Sequence, residues 1–273
     1  MKIVFAFLFC SAFILPSISA QTVIEDWDNY IIAVNNHPVS IVVNLGLKEK
    51  APLKERSFAI ILRTKYTDSD DDGFPSPDIA GTMDSIEYDL EAKLKVSHGA
   101  IYAGRFTQRG LREFYFYALD TVQYLAACAS VMDHYKAFPW LSKAVSDKTW
   151  SNYFEVLYPS GNELEKIENR RMIETLKQKG DPLKTARKID HVLYFKSASG
   201  RHLFLKSLDI PSVTIDEMPV EKTEFGEYGF RLKISRDDVP DDLTMNKMTI
   251  FLRELAVKND GVYGGWQTYV LKK

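Results

Sequence analysis

The feature that most constrains this chain is a stripe of five apolar residues, Ile79, Met83, Ile86, Leu90 and Leu94, at successive spacings of four, three, four and four. That recurrence runs along one face of an α-helix, with Glu87, Glu91 and Lys95 off it. Ser76-Pro77 supplies a cap and a first-turn proline. The sequence around this helix reads as strands. Residues 27–34 and 39–47 are β-rich and joined across Asn35-Asn36-His37-Pro38, a hairpin pattern. Residues 57–66 carry the run Phe58-Ala59-Ile60-Ile61-Leu62, apolar on both faces, which predicts a central covered strand. Residues 100–107 and 113–119 form a second hairpin around Gln108-Arg109-Gly110. Val122, Leu125, Ala129 and Met132 mark a second helix, and the aromatic stretch 150–158 reads as a last strand. The predicted order, β-β-β-α-β-β-α-β, is a compact α+β domain over residues 21–159: an antiparallel sheet with helices on one face.

Residues 160–182 read as a linking helix. It is rich in Glu, Lys and Arg, has Leu164, Ile167, Ile173 and Leu176 as apolar positions, and stops at Gly180-Asp181-Pro182. The thin stripe predicts that one side of it packs. Beyond it, strands are expected over 191–195, 212–218, 228–234 and 263–271. Helices are expected over 201–208 and 243–257, the latter with Met248, Phe251, Leu252 and Leu255 on one face. The order β-α-β-β-α-β over 183–273 is the ferredoxin-like pattern.

The first twenty residues stand apart. Lys2 precedes an apolar run over 3–15, Pro16 breaks it, and Ser17-Ile18-Ser19-Ala20 offers a small-residue cleavage site. This is the pattern of a secretory signal peptide, and the run is shorter than the ~20 residues that span a bilayer. The mature chain is expected to start at Gln21, to span no membrane, and to be periplasmic or secreted. Cleavage removes Cys10 and leaves Cys128 alone, so no internal disulfide can form. Cys128 reads as a small buried residue on a helix. The composition is globular, 45% hydrophobic and 26% charged. Residues 21–158 hold 14 basic and 19 acidic residues, and residues 159–273 hold 20 and 18. Neither half carries the strongly basic surface of a dedicated nucleic-acid binder.

The chemistry-bearing patterns are few. Asp68-x-Asp70-x-Asp72-Gly73 imitates the start of a calcium loop, but its twelfth position is Ile79 where an EF-hand needs Glu. The sequence leaves open whether Asp68, Asp70 and Asp72 hold a cation. No two of His37, His98, His134, His191 and His202 sit at metal-ligand spacing on one element. No nucleophile elbow, P-loop or dinucleotide fingerprint occurs. Glu113, among aromatics, is expected to face solvent from an alternating strand. No catalytic residue, metal ligand or cofactor is expected. The closing residues Tyr263, Trp266 and Tyr269, around the Gly264-Gly265 pair, are the candidate partner-binding platform, because Tyr and Trp favour interface hot spots. On a regular strand, Tyr263 and Tyr269 would point one way and Trp266 the other.

Two resemblances add to this reading. Asp72-Gly73-Phe74-Pro75, Gly104-Arg105-Phe106-Thr107, Gly110, Arg112, the run Phe114-Tyr115-Phe116-Tyr117, Trp150-x-x-Tyr153 and Leu157-Tyr158-Pro159 resemble the bacterial domain family of unknown function 695. That family implies a fold and no chemistry. Met172-Ile173-Glu174-Thr175-Leu176, Gly180-Asp181-Pro182, Ile189-Asp190-His191 and Tyr263-Gly264-Gly265-Trp266-Gln267-Thr268-Tyr269 resemble the regulator of ribonuclease E activity B family. That resemblance implies a protein-binding regulator. The leader places the chain across a membrane from ribonuclease E, and the near-neutral second half differs from that family's strongly acidic cytoplasmic members. The expected function is therefore an exported, non-catalytic protein that binds, and by that binding regulates, another macromolecule, with a protein as partner. The alternatives are an envelope hydrolase with an unrecognised site, and a ribonuclease E regulator if the chain stays in the cytoplasm.

Overall fold

The computed structural model describes residues 25–219 and 226–272, so the expected leader over 1–20 lies outside the described residues. The N-terminal half builds β1 (Trp27–Val34), β2 (His37–Asn44), β3 (Phe58–Lys65), α1 (Pro77–His98), β4 (Ile101–Gln108), β5 (Leu111–Ala118), α2 (Tyr124–Met132) and β6 (Trp140–Ser146). All six strands are antiparallel, in the order β1-β2-β4-β5-β3-β6. Both expected hairpins form, and their turns show why. Asn35 and Asn36 lie at φ 50° and 63°, and Arg109 and Gly110 at 46° and 73°. Two successive positive-φ residues make the tight turn whose twist matches that of the strands.

The α1 stripe is buried as its spacing predicts, with Met83, Ile86, Leu90 and Leu94 inaccessible to solvent. They meet Ile60 and Leu62 of β3, Phe114 and Phe116 of β5, and Cys128 of α2. Each such side chain contributes about 1.5–3 kcal/mol by leaving water. The stripe of α2 is displaced from the expected one. Ala127, Cys128, Val131 and Met132 are buried; Val122 is exposed because it precedes the helix, which starts at Tyr124, and Leu125 is exposed in its first turn.

Three further expectations for this half need correction. The helices do not keep to one face of the sheet. Every residue of β5 from Arg112 to Ala118 is buried, which requires cover on both sides. The second face, carrying Val43, Ile61, Tyr115 and Tyr117, is closed by Trp150, Tyr153, Leu157 and Ile167. The stretch 150–158 is also not a strand. It forms a wide π-type helix, Asn152–Leu157, and the last strand is β6. Asp147 organises that helix. Its carboxylate accepts hydrogen bonds from the Ser151 and Asn152 backbone N–H groups at 2.7 and 3.0 Å and from the Tyr117 hydroxyl at 2.7 Å. These donors outweigh the cost of its partial burial and hold its pKa down at about 2. Trp150, at φ 58°, stacks on Tyr117 with ring centroids 3.8 Å apart. Glu113 is buried too, against the expectation of a solvent-facing side chain; it pairs with Arg63 across the strands and accepts from the Tyr115 hydroxyl.

The C-terminal half builds α3 (Gly161–Gln178), β7 (Arg187–Phe195), α4 (Ala198–Ser207), β8 (Thr214–Pro219), β9 (Phe230–Asp238), α5 (Asp242–Lys258) and β10 (Gly261–Gln267). Its four strands are antiparallel, in the order β10-β7-β9-β8. Leu193 and Phe195 of β7, Leu232 and Ile234 of β9, Phe204 of α4, and Leu252 and Ala256 of α5 share one core, which places both helices on one face of the sheet. The buried stripe of α5 is Met245, Thr249, Leu252 and Ala256; Phe251, expected inside, is 39% exposed.

The helix α3 belongs to two cores, where the sequence suggested one packed side. Ile167, with Leu164, packs into the N-terminal sheet, and Ile173 and Leu176 pack against Ile189, Met245 and Trp266. Between these contacts Arg171 reaches Asp28 of β1 at 2.6 Å and Asp26, just before that strand, at 2.8 Å, and Arg170 also pairs with Asp28. Both arginines are more than a third exposed, so these pairs orient α3 more than they stabilise it.

Candidate functional site

The interval between Ile167 and Ile173, where the apolar stripe of α3 is interrupted, holds Asn169. It is inaccessible to solvent, and an asparagine at a mid-helix position is stable there only if its amide is satisfied. Its Nδ2 donates to Asn246 Oδ1 at 2.9 Å and to Thr249 Oγ1 at 2.7 Å, and its Oδ1 accepts from Trp266 Nε1 at 2.8 Å. This polar knot joins α3, α5 and β10.

Glu165, one turn earlier on α3, is also buried. Burial, together with the charge of Glu168, pushes its pKa up to about 7; a hydrogen bond with Thr249 and the charge of Arg253 act the other way. Burial likewise raises Glu168, against the opposing charges of Arg171 and Lys48. His191 of β7 is 1% exposed, and its Nδ1 shares a hydrogen bond of 2.8 Å with the Tyr263 hydroxyl. Its Nε2 is buried without a partner among the described residues. Burial, with the charge of Arg236, drives its pKa down to about 4, so the ring is neutral in the fold.

The pairing of β10 with β7 shifts by one residue between Tyr263 and Gly265. Tyr263 pairs with Leu193 and Trp266 with His191, two positions that both face the helices. The bulge therefore reverses the parity of a regular strand and puts Tyr263 and Trp266 on the same side. The glycine pair is needed for this. Gly265 lies at φ +105°, and a Cβ on Gly264 would sit 2.6 Å from the Tyr194 ring. Tyr263 and Trp266 are thus brought together with His191 and Asn169. Tyr269 is not among them. It lies beyond β10, 55% exposed, and its backbone carbonyl, not its ring, accepts from Arg187.

A cleft of about 360 Å3 opens beside this knot, lined by Glu165, Glu168, Asn169, Tyr194, Arg231 and Trp266 with the two glycines. Asn169 and Trp266 are committed to each other. The groups with capacity left for a ligand are the two glutamates and Arg231, whose Nε is buried without a partner among the described residues. A carboxyl that titrates near neutrality can exchange a proton or meet a cation. Among the described residues, no group of three or more His, Cys, Asp or Glu is placed to hold a metal ion. In the acidic loop, Asp70 Oδ1 accepts from the backbone N–H groups of Asp72 and Phe74 at 3.1 and 2.8 Å, and Asp68 accepts from Ser76 Oγ at 2.5 Å.

Phenylalanine at Trp266 fills most of the same space and loses only the indole N–H to Asn169. Trp266→Phe is expected to cost about 1–2 kcal/mol in urea unfolding. A change below about 0.3 kcal/mol would show that the Asn169 bond contributes nothing.

Residues 25–158 match the model of the Family of unknown function (DUF695), and residues 166–268 match that of Regulator of ribonuclease activity B. The chain resembles two families, one in each half. The second match begins inside α3, before Asn169. No curated protein matches the sequence significantly. One solved structure, described as the crystal structure of an unknown protein from Galdieria sulphuraria, is 11% identical and covers 78% of this chain and 98% of its own. Its TM-score of 0.21 carries no argument about fold.

The similarity to the regulator family takes in Asn169, His191, Thr249, Tyr263 and Trp266. Of these, the sequence pointed to the last two alone as a site. The five-residue gap between Ile167 and Ile173 in the α3 stripe was the available sign of Asn169; burial of Glu165 and Thr249 had no local sign.

Proposed function

We propose that the protein is exported after cleavage of residues 1–20 and works without catalysis, by binding and so regulating another protein through its C-terminal half. The observation that carries this reading is the similarity of residues 166–268 to a family described as a regulator of ribonuclease activity. The leader pattern supports the export step. Among the described residues no helix is long and apolar enough to cross a membrane. We read the C-terminal half as ferredoxin-like, supported by the order β-α-β-β-α-β and the sheet order β10-β7-β9-β8. Tyr263, Trp266 and Tyr269 remain our partner-binding residues. Tyr269 offers its exposed ring, Trp266 the wall of the cleft, and Tyr263 a support behind it.

A photo-crosslinking residue at position 269 tests this in intact cells, with position 88 as the control. Tyr88 is 73% exposed on α1 in the other half. A discrete protein adduct at 269 that is absent at 88 supports the reading. No adduct at 269, or the same adducts at both positions, removes it.

One observation favours a second reading, an envelope hydrolase: a buried carboxyl near neutrality in a cleft. Glu165→Gln would abolish turnover in that case and leave the crosslink at 269 unchanged in the first.

A further inference from the structure

At the other end of β9 from the cleft lies a larger groove, of about 670 Å3. Its walls include Ile210, Arg236, Asp238, Leu243, Met248 and Phe251. Two of these are large apolar side chains left facing water, Leu243 at 81% exposure and Phe251 at 39%. The sequence put Phe251 in the core, and the structure instead sets it on the groove.

Asp238 is the polar exception. The residue is 8% exposed. Its Oδ1 accepts from Arg236 Nη2 at 2.9 Å, and its Oδ2 is buried with no partner among the described residues. A buried acceptor without a donor costs free energy that a ligand's N–H or O–H can recover. The surroundings narrow the choice of donor. Arg236 already balances the Asp238 charge, and Lys247 on the same wall repels a second cation. Asp209 opposes an anion. A purely aliphatic group would leave Oδ2 unserved. The ligand that fits is an apolar body with one neutral donor, which among side chains means the indole of tryptophan or the phenol of tyrosine.

We propose that this groove seats a tryptophan or tyrosine side chain of the protein partner. The ring lies against Leu243, Met248 and Phe251, and its N–H or O–H donates to Asp238 Oδ2. The proposal rests on the partner-binding reading for its biological meaning. The groove itself can be tested without the partner, so the two can fail separately.

The probes are indole and 1-methylindole, titrated into the full chain and followed by amide chemical shifts. Indole is expected to shift amides of α5 between Leu243 and Phe251, and 1-methylindole, which lacks the donor, to bind about tenfold more weakly. Asp238→Ala should erase that difference. Should that variant not fold, Leu243→Lys serves, since its side chain is outside the core; it should weaken both probes with the unfolding midpoint unchanged. Equal affinity of the parent for the two probes, or indole shifts confined to other surfaces, would overturn the proposal.

Discussion

Replacing Asp181 by alanine is expected to destabilise the C-terminal half by about 3–5 kcal/mol, because the change strands a buried arginine. The Asp181 and Arg187 side chains are both inaccessible to solvent and joined by two hydrogen bonds. Asp181 also accepts from the backbone N–H of Leu183 at 2.9 Å and of Leu271 at 2.8 Å, and Arg187 donates to the Tyr269 carbonyl at 3.0 Å. One carboxylate therefore ties the turn after α3, the start of β7 and the segment after β10. The double change Asp181→Leu with Arg187→Met should recover only part of the loss. It removes the stranded charge but leaves three backbone groups without partners. Urea unfolding should show a lower midpoint with an unchanged slope.

The Arg187 hydrogen bonds hold the Asp181 pKa far below the ordinary aspartate value. A carboxylate depressed in the fold contributes stability above its unfolded pKa and loses it as pH falls below that value. The parent should lose this contribution below about pH 4, and Asp181→Ala should lack that part of the acid response. An alanine variant as stable as the parent would mean that the pair is not buried as described.

The second large effect is a pair of titrations that hide each other. Glu165 is raised from 4.5 to about 7 and His191 lowered from 6.5 to about 4. For Glu165, stability is present below the unfolded value and is lost as pH rises towards 7. For His191, stability is present above 6.5 and is lost as pH falls towards 4. Over the shared window the fold keeps a proton on the carboxyl that the unfolded chain keeps on the imidazole, so the two slopes cancel. The charges around them are Glu168 and Arg253 beside Glu165, and Arg236 and Asp190 beside His191. Glu165→Gln should unmask the histidine: stability should rise by ~3 kcal/mol between about pH 4 and 6.5, relative to the parent's profile. His191→Gln should show the opposite slope between about pH 4.5 and 7. Denaturant midpoints measured across that range decide it. Parallel profiles for parent and both variants would show that neither group is shifted.

How far the sequence could be read depended on whether the deciding contact was local. The α1 helix was legible because one stripe faces one core, and both hairpins because Asn-Asn and Arg-Gly accept the positive φ their turns need. The 150–158 helix was not legible. Its aromatic residues favour strands in isolation, and the helix is set by Asp147 and by stacking on Tyr117, a residue far away in sequence. The edge strand β6, with its half-exposed alternation, gave too weak a pattern to compete. At the site, Trp266 and Tyr263 stood out as residue types, but their common side depends on a bulge that the glycine pair permits and does not announce. Asn169 and Glu165 were hidden because the polar face of α3 becomes an interior only once α5 and β10 pack against it.

The most direct test of the account is the intact mass of the native protein recovered from fractionated cells. Export predicts a chain that begins at Gln21 and is found outside the cytoplasm, where its partner must then be sought. A full-length chain beginning at Met1 in the cytoplasm would contradict it and make a ribonuclease the partner to test first.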